Sequence, residues 1–174
     1  MPQVIKMAEL LSHVLFAFGL FTISGWTVEW LDRKWVAVGA VGSLFPDLNR
    51  LGLLVDDYTV SQILGVPFDW DGISTLGGVV LLAAAGAVLF ASREERIRGF
   101  GLLFAGGVSH LLVDGVKQWA DGAGGTPLYP LSWWRPPTPG LYVSSDRWVL
   151  GVAVLFGLVV FLFNRYVVDS PDEG

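Results

Sequence analysis

The chain has 174 residues, of which 53% are hydrophobic and 16% charged, and its formal net charge is −5. A soluble domain carries about 25% charged residues, so this balance indicates an integral membrane protein, and the lack of a basic patch excludes nucleic-acid binding. The absence of cysteine excludes disulfides and thiolate metal sites, leaving imidazole, carboxylate, backbone oxygen and water as metal ligands.

The first apolar segment covers about residues 8–28. Lys6 is soon followed by Glu9, and no small-x-small pattern closes the run near Trp26, so it reads as a retained helix and not as a cleaved signal peptide. His13 stands one helical turn after Glu9, a spacing at which the acid can orient a ligating imidazole; the same histidine can also serve as a packing residue. The second segment, about 34–46, is short for a span and ends where Pro46 disfavours helix at Phe45. Asp47 and Asn49 then lie in a PDLN turn, as candidate oxygen ligands or as ordinary turn residues.

Residues 48–72 form an amphiphilic connection ending in Asp69 and Asp71, which flank Trp70 just before the third segment, about 73–92. Both acids suit capping of that helix and are alternatively oxygen ligands. SREERIRG reads as a tight loop carrying Arg93, Arg96 and Arg98. The fourth segment, about 99–118, places His110 and Asp114 four residues apart on one face, with Gly106 and Gly107 one turn earlier. Such small residues let a neighbouring helix approach closely in lipid, so this face turns to the bundle interior. The His–Asp pair can hold a divalent ion, or can be an interhelical hydrogen-bonding pair.

Residues 119–146 are rich in Gly, Pro and Trp and cannot be regular helix; Tyr129, Trp133, Trp134 and Tyr142 suit the aromatic belt of a membrane interface. Arg135 among them is an interfacial anchor or a contact for phosphate. The fifth segment covers about 147–168, and DSPDEG is a polar tail. A span needs about 20 residues at 1.5 Å rise. The expected fold is therefore all-α: a single polytopic membrane domain over 1–174 with four to five transmembrane helices.

Alternation of the spans gives a geometric expectation. If all five segments cross, His13, Asp47, Asp69, Asp71, His110 and Asp114 gather at one end of the bundle. Histidine and carboxylate in hydrocarbon are costly, so such a cluster marks a metal site or proton relay. The other end holds Arg33, Lys34, Arg93, Arg96, Arg98 and Arg165, against Lys6, Arg50, Lys117, Arg135 and Arg147 on the cluster side. That slight excess places the cluster on the extracytoplasmic face. The acidic balance, with three lysines, is of the archaeal type and suits a salt-rich cytoplasm.

Taken together, His13, FPDLN with Asp47, SHLLVD with His110 and Asp114, and GTPLYPLSWW with Pro127 and Pro130 resemble the membrane-bound metal-dependent hydrolase-like family of inner-membrane-associated proteins. The resemblance covers most of the chain in the family's order. It departs where that family has a His-Arg-Gly-x-Thr-His-Ser block: this chain has FDWDGISTLGG, with only Gly72 and Ser74 as echoes. The resemblance implies a divalent ion (Zn, Mn or Mg) held by His13, Asp47, His110 and Asp114 and activating water. Asp69 or Asp71 would act as an extra ligand or catalytic base and shift preference towards Mg²⁺ or Mn²⁺. The substrate would be a lipid head group or phosphoester reaching the interface of the inner or plasma membrane. An alternative is a non-catalytic structural or interaction protein whose His/Asp cluster stabilises the bundle. A carrier is the third reading, but it calls for broken helices meeting at mid-membrane, whereas these ligands fall near helix ends.

Overall fold

The computed structural model describes the backbone of residues 2–168 and side chains from Glu9 onward. The described residues are helical, without strands: α1 (Pro2–Gly25), α2 (Arg33–Gly42), α3 (Asp57–Leu64), α4 (Leu76–Ala87), α5 (Arg93–Asp114) and α6 (Arg147–Phe163). Two 3₁₀ segments, Pro46–Leu53 and Trp70–Ser74, flank α3, and a π-helical turn, Asn164–Val168, extends α6. The helices pack in the order α6–α1–α2–α5–α4.

Several boundaries differ from the expected segments, for identifiable reasons. The helix of the second segment stops at Gly42, because the Pro46 ring tightens the following residues into a 3₁₀ turn. The third begins only at Leu76, where the Thr75 hydroxyl accepts from the Gly78 N–H and caps the helix. SREERIRG is the first two turns of α5 instead of a loop: Ser92 and Glu95 form a reciprocal capping box. Of the expected spans, Arg93–Asp114 and Arg147–Val168 are long and apolar enough to cross a membrane; Glu9–Gly25 and Leu76–Ala87 are apolar but shorter.

The core lies where α1, α2 and α5 meet, with Ala17, Phe21, Trp35, Val36 and Leu102 buried together. Asp32 starts α2 by accepting from the Lys34 and Trp35 N–H groups, which sets Trp35 against Phe90 at 5.4 Å between ring centroids. By contrast α6 turns Val152, Leu155, Leu158, Val159 and Phe161 outward. An apolar surface of this kind is stable against lipid and unstable in water.

The chain between α5 and α6 folds back over the bundle end. The carbonyls of Pro127 and Tyr129 accept from the Leu76 and Gly77 N–H groups at 2.8 and 2.9 Å, closing off the start of α4. Gly77 permits this grip, since a Cβ there would meet the Pro130 ring at 2.6 Å.

Candidate metal centre

His13, Ala17 and Phe21 share one stripe of α1, at a spacing of four residues, and that stripe is buried. His110 and Asp114 come from the last turns of α5, and Asp47 from the 3₁₀ segment after α2. These elements bring all four side chains to one end of the bundle, although eleven residues of α1 precede His13.

Backbone contact between α2 and α5 depends on glycine. A Cβ on Gly106 would lie 2.1 Å from the Gly39 carbonyl oxygen and 2.8 Å from the Ser43 nitrogen; one on Gly42 would lie 2.3 Å from the Leu103 carbonyl oxygen. The approach sets the Ser43 carbonyl oxygen 2.7 Å from His110 Nδ1. A carbonyl only accepts, so Nδ1 carries the proton and, in the neutral ring, Nε2 presents a lone pair.

That Nε2 lies 3.5 Å from Asp114 Oδ2, and His13 Nε2 lies 3.5 Å from Asp114 Oδ1. The two imidazoles stack at 3.7 Å between centroids, tilted by 16°. A lone pair facing a carboxylate calls for a cation, either a proton or a metal, between them. Donors at about 2.0–2.1 Å from a tetrahedral metal stand about 3.3–3.4 Å apart, close to each Nε2–carboxylate distance, although the two run to different oxygens of Asp114. One donor atom from each of His13, His110 and Asp114 lies within 4.8 Å of the others. The donor set of two imidazoles and a carboxylate therefore fits a divalent transition metal.

Asp47 occupies a different position from the other three. Its Oδ2 is 4.0 Å from His110 Nδ1, on the Ser43 side of the ring, while Oδ1 pairs with Arg50 at 2.7 Å. It thus stands behind the ring that faces Asp114. Burial pushes the Asp47 carboxyl above its usual range, against the pull of His110 and Arg50. Asp47 Oδ2 and His13 Nδ1 are both buried without a hydrogen-bond partner among the described residues.

Glu9 does not orient His13, as its spacing suggested. Its carboxylate binds Arg50 at 3.0 Å, Lys117 at 3.0 Å and the Ser144 hydroxyl at 2.9 Å, because two cations on other elements outbid a neutral ring. Lys117 also reaches Asp114 Oδ1 at 3.1 Å. Three carboxylates (Glu9, Asp47, Asp114) against two cations (Arg50, Lys117) leave this cluster at −1 with neutral imidazoles. Sequence reasoning missed Arg50 and Lys117, although each lies three residues after a candidate ligand, the spacing of a same-face helical pair.

His110, Asp114 and Asp47 open onto a cavity of about 490 Å³ that Arg50, Lys117 and Arg135 also line. Asp69 and Asp71 line it too, outside the three-residue donor cluster; Asp69 caps its own 3₁₀ segment by accepting from the Asp71 N–H. Gly125, Thr126 and Pro127, from the loop that grips α4, form part of its wall.

Residues 7–169 match the model of the YdjM inner membrane protein family. Comparison with curated proteins and with solved structures gives no match.

Proposed function

The chain belongs to the YdjM inner membrane protein family, and from that premise we propose that it is a polytopic helical membrane protein with a divalent-metal centre and hydrolase-like activity. His13, His110 and Asp114 hold the metal, Asp47 positions His110 from behind, and Asp69 or Asp71 is the extra ligand or base. Bound there, the metal would lower the pKa of a coordinated water and supply a nucleophile at neutral pH. Arg50, Lys117 and Arg135 in the cavity wall suit an anionic substrate, a phosphoester or lipid head group, at the extracytoplasmic face.

The observation that carries this reading is the convergence of two Nε2 atoms on one carboxylate, each at 3.5 Å, with His110 Nδ1 committed to a carbonyl. Metal analysis of the protein purified without chelator tests it. One equivalent of metal, lost in His110→Ala, is the expected result. No metal in the parent protein, with His110→Ala merely less stable, would instead favour a structural protein whose cluster only holds the bundle together. That second reading draws on the Lys117 and Arg50 pairs, which already neutralise two carboxylates.

A further inference from the structure

Helix α4 is short for a membrane span. Its 12 residues, Leu76–Ala87, extend about 18 Å, whereas the hydrocarbon core of a bilayer is roughly 30 Å thick. A brief turn after Ala87 leads into the charged first turn of α5, with Arg93, Glu94 and Glu95, which places that end of α4 near the membrane surface. The missing height therefore lies beyond Leu76. One turn below that end, Leu81 is 73% exposed, an apolar flank suited to lipid.

The tip of the loop between α5 and α6 lies against the short end of this flank. Gly77 and Leu81, four residues apart, share one face of α4. Pro130 rests on that face, where a Cβ on Gly77 would meet its ring at 2.6 Å and the Tyr129 carbonyl oxygen at 3.0 Å. The tip, Leu128–Trp134, has no charged residue, and Arg135 is the only one between Asp121 and Asp146. Leu131 is 82% and Trp133 75% exposed, and Trp134 is exposed as well. Tyr142, grouped with them by composition, is instead buried and bonded to the Val113 carbonyl.

The tip is also prepared to leave water. The N–H groups of Tyr129, Leu131, Ser132 and Trp134 are bonded within the loop, to Thr126, Leu128 and Ser132. Such pairing lowers the cost of moving irregular backbone towards hydrocarbon. The Arg135 side chain turns back to the base of the loop, pairing with Asp121 at 2.7 Å and donating to the Gly124 carbonyl at 2.9 Å. Tryptophan beside leucine, bordered by an ion pair, suits the layer between head groups and acyl chains.

We infer that Leu128–Trp134 is seated in the interfacial layer of the bilayer, with Leu131 and Trp133 reaching the acyl chains, and so extends the flank that α4 is too short to cover. The inference rests on the membrane setting of the family and not on the metal centre.

Spin labels test it, since the chain has no cysteine and single substitutions need no altered background. The full chain carrying labelled Leu131→Cys is reconstituted in phosphatidylethanolamine/phosphatidylglycerol vesicles. Collision rates are then measured with oxygen, which concentrates in lipid, and with a nickel chelate present on both sides of the membrane. Leu155→Cys, on the outward face of α6, is the lipid reference, and Glu94→Cys, at the exposed start of α5, is the water reference. The oxygen-to-nickel ratio at Leu131→Cys is expected to shift above that of Glu94→Cys, towards that of Leu155→Cys. A ratio equal to that of Glu94→Cys overturns the proposal. A label shielded from both reagents, as it would be beneath a protein partner, overturns it too. If Leu131→Cys does not fold, Trp133→Cys carries the same expectation and the same refutation.

Discussion

His13 and His110 lie face to face, 3.7 Å between ring centroids, with both Nε2 edges turned to the same carboxylate, that of Asp114. Stacking makes each ring a wall for the other. The pair therefore behaves as one unit, and its two members differ in what lies behind them: the Ser43 carbonyl holds His110, while His13 Nδ1 has no hydrogen-bond partner among the described residues.

Loss of either ring should disable both. His13→Ala removes one donor and uncovers one face of His110, so we expect metal content to fall to background, as in His110→Ala. Asp47→Asn keeps all three donors and should weaken metal affinity by roughly 10–100-fold. Competition with a metal-sensitive dye gives the affinities, and an Asp47→Asn protein with parent affinity would remove Asp47 from the site.

Gly106→Ala examines the helix contact. The added methyl would sit 2.1 Å from the Gly39 carbonyl oxygen, so α2 and α5 must separate. Overpacking of this kind costs about 1–3 kcal/mol. The separation also withdraws the Ser43 carbonyl from His110. A lower unfolding temperature together with weaker metal binding is expected. Gly101→Ala, where a methyl meets nothing within 4 Å, should change neither.

Lys117→Met separates a cation-binding cluster from a self-contained ion-pair network. Removing this charge takes the cluster from −1 to −2, because Glu9 and Asp114 lose a shared partner. Divalent-metal affinity should rise in the variant, measured at neutral pH and fixed ionic strength. A network that exists only for stability would show a lower unfolding temperature and no gain in metal binding.

Tyr142 gives the bundle an alkaline limit. Burial, followed by the nearby Asp114 and Glu9 carboxylates, raises its pKa above the ordinary 10.0, and its hydroxyl donates to the Val113 carbonyl at 3.1 Å. The folded state thus holds this proton more tightly than the unfolded chain. The resulting stability is fully present below pH 10.0 and is lost as pH climbs through the folded-state value. Phenolate absorbance should show one of the four tyrosines titrating late. Tyr142→Phe should abolish that late step and flatten the alkaline loss of stability. A parent protein whose four tyrosines all titrate together would contradict this.

The sequence made the pairing of His110 with Asp114 legible, because a four-residue spacing on a helix fixes a shared face whatever surrounds it. Alternation of apolar segments likewise brought His13 and Asp47 to the same end. It did not distinguish beside from behind: Asp47 sits on the Ser43 side of His110 because the 3₁₀ turn after Gly42 aims it there. The Ser43 carbonyl left no trace in the sequence, since any residue has one. Its reach depends on the α2–α5 separation that Gly42 and Gly106 allow together. The capping-box signature of Ser92 and Glu95 starts α5 inside a charged stretch whose arginines read, by composition alone, as a tight loop.

The packing of α6 against α1 has a consequence for the order in which the protein is made. Among the described helices α1 is made before α6, so its main neighbour becomes available only after α2 to α5 have been made, and Glu9 gains Ser144 from the segment just before α6 at the same stage. Until then the flank of α1 that α6 will cover is bare, including Gly19, which the Phe156 ring later overlies. The helix that carries His13 is thus incompletely flanked until α6 emerges, and Glu9 acquires its full set of partners only then.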